Sequence, residues 1–465
     1  MKLAFFTFLL LLHTLVGFAQ WTELPQTITP TFVNSSVAYN GKIYFTGGPQ
    51  TQAVTTTIYN NKLHILDMAT GTITIANGGL SVGRAAMMCV AYGGKIYFAG
   101  GYRWVATGAG LQPYDVVDIY DIPSGTWSTK KLSVARGEGA AVVLDGKIMF
   151  AGGASVLTGI APVKTVDIYD PATDKWTVAF LSQARGGLSA AVVGKKVWFC
   201  GGYTSFSVIG GSDRVDIYDA DTQQWSQTSL SQAREGSTAV AVGKYVVCAG
   251  GATAAAGQTD RVDIFDTTTG SSSTASLSAP RGYMAGATLG TKAYFTGGGH
   301  LTPNYYFDKS SNVVDIFDAQ TGLWSTDNLN KNRIAHTCAT WGNQIVVAGG
   351  WRAEQTQTTG SVEVFTDPAI VAAKDVASER LHCAVYPNPT SDILYVDILD
   401  PNVANGAIDL RLFDGTGNLV AQKIGESVNG HGFIKVGMLE AGTYFLETSI
   451  NERLYTAQPV LIRRN

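Results

Sequence analysis

The chain has 465 residues, 45% hydrophobic and only 15% charged, with 53 glycines and a formal net charge of −3. That length allows two domains and a large core, while the charge offers no basic excess for a phosphate backbone, so nucleic acid is not an expected partner. Many short apolar runs between turn residues point to an all-β chain rather than a helical one.

Residues 1–19 read as a secretory signal peptide. Lys2 supplies the positive end, Leu3 to Val16 an apolar stretch, and Gly17-Phe18-Ala19 a small-x-small cleavage site. The apolar run is short for a bilayer and nothing else in the chain could span one, so no transmembrane segment is expected after cleavage. The five cysteines, Cys89, Cys200, Cys248, Cys338 and Cys383, are odd in number and lack metal-ligand spacing. Four sit in apolar strand runs, where a thiol behaves as a small hydrophobe.

From residue 20 to 367 one sentence is spelled seven times. A Gly-Gly pair recurs at Gly47, Gly100, Gly152, Gly201, Gly250, Gly297 and Gly349, at intervals of 47 to 53 residues. Such a period signals a propeller or another repeat array. Seven residues before each pair begins a two-residue turn, such as Asn40-Gly41, Gly93-Gly94 or Asp145-Gly146. Those residue types suit the tight turns of a β-hairpin. The strand after each turn is apolar on both faces, as in KIYFT, KIMFA and KVWFC, so it is expected to be buried on both sides. A third strand reads VDIYD in most units, and Trp127, Trp176, Trp225 or Trp324 follows at a fixed distance, with Ile73 and Ser272 in the two units that lack it. These Trp are expected to anchor the outer strand against the next unit.

The repeat resembles the Kelch repeat, a four-stranded blade with Gly-Gly after its second strand, then Tyr-Asp and a spaced Trp. The resemblance implies a seven-bladed β-propeller. The seventh unit ends at Val362 to Phe365 without an outer strand, and Trp21 to Leu24 matches the missing outer-strand sequence. The N-terminal segment is therefore expected to complete the last blade and remove an exposed edge.

Sixteen residues before each Gly-Gly stands Arg84, Arg136, Arg185, Arg234, Arg281 or Arg333, and the third strand carries Asp118, Asp167, Asp216, Asp263, Asp315 or Glu363. In the first unit these positions are Thr31 and His64, so arginine and acid are lost together. Paired loss predicts a charge-assisted pair within each blade. Six guanidinium groups holding an anion at the channel mouth is the alternative reading.

Function is sought in what the repeat does not explain. The long loops after the second strands hold Tyr102, Arg103, Trp104, Tyr203, His300, Tyr305, Tyr306, Trp351 and Arg352, and Glu138, Glu235, Tyr283 and His336 follow the repeated arginines. Loops on a rigid scaffold are where binding concentrates, and aromatics with interspersed arginine suit protein or glycan recognition. Tyr102, Arg103, Trp104, Trp351 and Arg352 rank first because they follow Gly-Gly directly. A Kelch-like copper-radical oxidase would need two histidine ligands, a Tyr and a Cys-linked Tyr, and only His300 and His336 fall on this face, so no metal or other cofactor is expected. A sugar epimerase or mutarotase of Kelch type would need a carboxylate with an Arg or His, for which Glu138, Glu235 and Arg352 are available. The leading expectation is a binding module for protein or carbohydrate; the alternative is an enzyme acting on a sugar.

Residues 368–384 read as a linker, and residues 385–465 as short strands and turns fitting a small β-sandwich. Tyr386-Pro387-Asn388-Pro389-Thr390, Leu412-Phe413-Asp414, Ala441-Gly442-Thr443-Tyr444-Phe445 and a final basic-apolar strand occur in that order. This segment resembles the C-terminal sorting domain of type IX secretion cargo in Bacteroidetes. The resemblance implies an interaction with that secretion machinery and a secreted or surface-attached product.

Overall fold

The computed structural model describes residues 21–51, 58–104, 111–155, 161–205, 211–254, 257–302, 306–367, 383–386, 392–398, 406–413, 419–427, 431–450 and 453–462. The expected signal peptide, Tyr305 and linker residues 368–382 lie outside them.

Seven antiparallel sheets form the blades of a propeller. Blade 3 shows the pattern: Ala140–Leu144, Lys147–Ala151, Thr165–Asp170 and Lys175–Phe180 pair in that order. Its first hairpin turns on Asp145 and Gly146, both at positive φ (49° and 75°), as a type I′ turn requires. In the second strand Lys147 is exposed and Ile148 to Ala151 are buried, because this strand is packed between neighbouring blades. First strands of adjacent blades lie against one another around the axis, and Ser35–Tyr39 packs on both Met88–Tyr92 and Thr337–Trp341, closing the ring.

Closure extends to the outer edge. Trp21–Glu23 pairs antiparallel with Val362–Thr366, and Trp21 stands opposite Phe365 as Trp127 stands opposite Tyr120 and Trp176 opposite Tyr169. The N-terminal strand thus supplies blade 7 with both its fourth strand and its Trp. These tryptophans pack toward the preceding blade rather than the next one. Trp127 stacks on Phe98 of its own blade (6.1 Å) while its Nε1 donates to the carbonyl of Asn77 in blade 1 (3.1 Å).

The Gly-Gly pair joins each blade to the following one. Gly101 N–H donates to the carbonyl of Arg136 at 2.8 Å, and the same bond recurs from Gly48, Gly153, Gly202, Gly251 and Gly298 to the arginine carbonyl of the next blade. Gly350 completes the circle by donating to Thr31 at 2.8 Å. A Cβ on Gly100 would lie 2.1 Å from the Arg136 carbonyl oxygen, so a side chain there would push the blades apart.

The contact pattern divides the chain into Met1–Val371 and Ala372–Asn465. In the second unit, Cys383–Tyr386, Ile393–Ile398 and His431–Lys435 form one antiparallel sheet. Leu419–Ser427, Gly406–Phe413, Gly442–Ile450 and Arg453–Ile462 form another. Leu394, Val396 and Ile434 of the first share a core with Ile408, Leu410, Leu412, Leu446 and Val460 of the second, which makes a β-sandwich. Among the described residues no helix is long and apolar enough to cross a membrane.

Candidate functional site

The repeated arginines are buried, and each pairs with the third-strand acid of its own blade. Arg84 to Asp118, Arg136 to Asp167 and Arg234 to Asp263 are 2.7 Å apart, Arg185 to Asp216 is 2.5 Å, and Arg281–Asp315 and Arg333–Glu363 are also in contact. The Arg136 guanidinium also donates to the carbonyls of Val134, Phe150 and Gly152, pinning the segment that enters the first strand to the Gly-Gly turn. Each acid in turn accepts a backbone N–H from the residue three before its arginine, such as Ser81 for Asp118 and Ser182 for Asp216. In blade 1 the Thr29 amide and hydroxyl meet His64 Nε2 at 3.3 and 2.8 Å instead. Burial lowers the His64 pKa, so a neutral ring replaces the ion pair there. With all six guanidinium groups engaged inside blades, they do not form an anion-binding ring.

Two residues beyond each arginine the backbone turns left-handed. Val33, Ala86, Glu138, Gly187, Gly236, Tyr283 and Ala335 all have φ between 51° and 61°. Six N–H to carbonyl bonds of 2.7–3.2 Å link these residues around the axis, for example Glu138 to Ala86 and Val33 to Ala335. The next residue in each blade forms a second ring: Asn34, Met87, Gly139, Leu188, Ser237, Met284 and His336. All fourteen residues line one cavity of about 540 Å³ at the propeller mouth. Tyr59, Tyr102, Trp104, Tyr203, Tyr306 and Phe307 add an aromatic wall.

Glu138 is the carboxylate of this cavity. Tyr102 Oη donates to its Oε1 at 2.6 Å and Tyr203 Oη donates to its Oε2. Burial, and then the charge of Glu138, raise both phenol pKa values well above 10, so both hydroxyls stay protonated and donate. Glycine makes room for these rings. A Cβ on Gly186 would come within 2.4 Å of the Tyr203 ring, and one on Gly236 within 2.7 Å of Tyr283.

Glu235 lies next to cavity-lining Gly236 and is fully buried, and neither carboxyl oxygen has a protein partner. Burial, with the charge of Glu138 second, pushes its pKa up to about 8. His336 reaches the cavity, shares a hydrogen bond of 2.9 Å between its Nε2 and the Thr296 hydroxyl, and is kept neutral by burial and then by Arg333. Asn34 Nδ2 and Oδ1 and Ser237 Oγ are buried without protein partners.

Of the residues expected on the binding face, Tyr102, Trp104, Tyr203, Tyr306 and His336 line the cavity. Others do not. Trp351 is buried in a cluster with Phe32, Ile334 and Ala353, where apolar neighbours on both sides hold its ring, and so it is not an exposed contact. Arg352 donates to Asn332 Oδ1 away from the cavity, and His300 is paired with Asp308. Arg103 stacks 5.3 Å above the Tyr59 ring, outside the cavity lining. Sequence reasoning passed over Asn34, Ser237 and Tyr59. The first two share a repeat position with His336, and their polarity among Met and Leu was the available signal. Among the described residues no group of three or more His, Cys, Asp or Glu is placed to hold a metal.

A ring of seven four-stranded blades with Gly-Gly after each second strand defines the class, a β-propeller. A family model of the Kelch motif matches residues 135–179 and 184–229, and one described as "Secretion system C-terminal sorting domain" matches residues 384–462. The chain is a Kelch-repeat β-propeller with a C-terminal sorting domain, and the sorting domain indicates export. The fold is similar to a solved structure described as "Structure of YjhT", with a TM-score of 0.52 and 15% identity, covering 74% of this chain and 97% of that one. At that identity the likeness speaks for the fold alone. No curated protein matches the chain.

Proposed function

We propose that the exported propeller is a carbohydrate-binding module, secreted or held at the cell surface, and that the axial cavity takes one sugar-sized unit. The observation that carries this reading is the cavity's mixed lining. Tyr and Trp rings offer flat apolar faces, while the Glu138 carboxylate, held by the Tyr102 and Tyr203 hydroxyls, sets a hydrogen-bonding group among them. A volume of about 540 Å³ is that of a small-molecule site rather than a flat protein interface. A glycan array followed by calorimetry on the full secreted chain tests it. Binding weakened at least tenfold by Trp104→Ala and by Tyr306→Ala is expected; binding unchanged in both variants would overturn the cavity as the site.

A second reading, an enzyme acting on a sugar, is favoured by one observation, a cavity carboxylate, Glu138, positioned by two tyrosine hydroxyls. A carboxylate held in place by fixed donors suits a general base acting on a bound sugar. Anomer exchange followed by NMR, accelerated by the wild-type chain and not by Glu138→Gln, would support it. The export role rests on the tail: deletion of residues 385–465 is expected to retain the protein in the periplasm.

A further inference from the structure

We infer that the axial cavity selects a ligand carrying a positively charged ammonium group, placed against Glu138. This rests on the reading of the cavity as a small-ligand site and names the charge of its ligand. Glu138 accepts hydrogen bonds from two tyrosines, but neither brings a positive charge. Among the described residues the lining contains no Lys or Arg, and His336 is neutral. The stretches of the same loops outside the described residues, 52–57, 105–110, 156–160, 206–210, 255–256 and 303–305, hold no charged residue in the sequence. Among the described residues the cavity lining therefore carries one carboxylate, Glu138, without a Lys or Arg to balance it, and near it the sealed, partnerless carboxyl of Glu235.

The walls point the same way. Tyr102 and Tyr203 hold Glu138 and Tyr283 lines the same cavity, the three rings filling the space that Gly137, Gly186 and Gly236 leave open. Aromatic faces attract a cation, most strongly where water is excluded. An anionic ligand meets repulsion from Glu138, whereas a neutral sugar gains the stacking without the charge. An amino sugar gains both.

The test is calorimetric titration of the full secreted chain with two matched pairs: glucosamine against glucose, and choline against its uncharged isostere 3,3-dimethylbutanol. At least a tenfold preference for the charged member of either pair is expected. Glu138→Gln, which keeps the shape and turns one tyrosine from donor to acceptor, should reduce that preference to less than threefold. Thr51→Lys, at the exposed rim, should weaken the charged member severalfold and leave the neutral one unchanged. Equal binding of both members in both pairs, or a preference that survives Glu138→Gln, would overturn the charge assignment while leaving the cavity as a sugar site. Binding by none of the four would overturn both.

Discussion

Arg136 and Glu138 are two residues apart, yet the positions they occupy behave differently around the ring. At the first, six of seven blades carry arginine, and each arginine is buried against an acid of its own blade. At the second, the blades carry Val, Ala, Glu, Gly, Gly, Tyr and Ala on one shared backbone conformation. The backbone of the mouth is thus fixed by the repeat, and its side chains are released from it. A sevenfold frame can present seven independent choices to the axis, and here Glu138 and Tyr283 are the large ones.

The difference breaks most visibly on the frame side. Arg136→Ala leaves Asp167 buried without its cation, and such a loss costs about 3–5 kcal/mol. Replacing both partners at once, Arg136→Met with Asp167→Leu, should recover most of it, since the cost lies in the orphaned charge. Thermal unfolding of the two variants checks this; equal losses in both would mean that the arginine's carbonyl contacts, not the ion pair, dominate. Trp21→Ala removes a buried ring from the closing strand and should cost roughly 3–5 kcal/mol. A loss below about 1 kcal/mol would show that blade 7 stays closed without its Trp.

Glu235 belongs to the mouth and is expected to respond to pH rather than to truncation alone. Its carboxyl titrates near 8 in the folded chain against an ordinary value of 4.5. Between those values the folded state holds a proton that the unfolded state has released. Stability therefore falls as pH rises across the interval and levels off above it. Glu235→Gln removes this slope. Its stabilising effect should be near zero below pH 4.5 and reach a few kcal/mol, roughly 5 as an upper bound, above pH 8. Parallel melting curves for wild type and variant across pH 4 to 9 would mean that Glu235 finds a partner in solution.

The frame was largely legible in the sequence because every residue of it recurs. Gly-Gly, the double-apolar strand, the Arg–acid covariation in one chain and the orphan Trp21 each announce themselves by register. Two parts of it were not. The partner of Gly-Gly is a backbone carbonyl of the next blade, and a carbonyl leaves no mark on residue identity. The side of the interface that Trp packs on depends on sheet twist, which the pattern does not encode. At the mouth, residues just after the arginines were legible as breaks in the repeat, but those just after Gly-Gly were not ranked well. Tyr102 and Trp351 share that position, yet the first lines the cavity and the second is buried, because Ile334 and Phe32 crowd Trp351 where smaller residues flank Tyr102. The distinction is made by neighbours from other blades.

The smallest expected effect is also the most direct measure of how free the mouth side chains are. Ala86 holds φ 54° in the axial ring, a conformation that costs an L-residue about 1–2 kcal/mol. Glycine adopts it without that strain but loses roughly 0.5–1 kcal/mol of unfolded-chain entropy. Ala86→Gly should therefore raise stability by about 0.5 kcal/mol, read as a small upward shift in Tm, with the hydrogen bond from Glu138 N–H to its carbonyl kept. If the variant instead loses more than about 1 kcal/mol, the ring's Cβ atoms contribute packing to the frame. The mouth would then be less free to vary than the five residue types found at this position suggest.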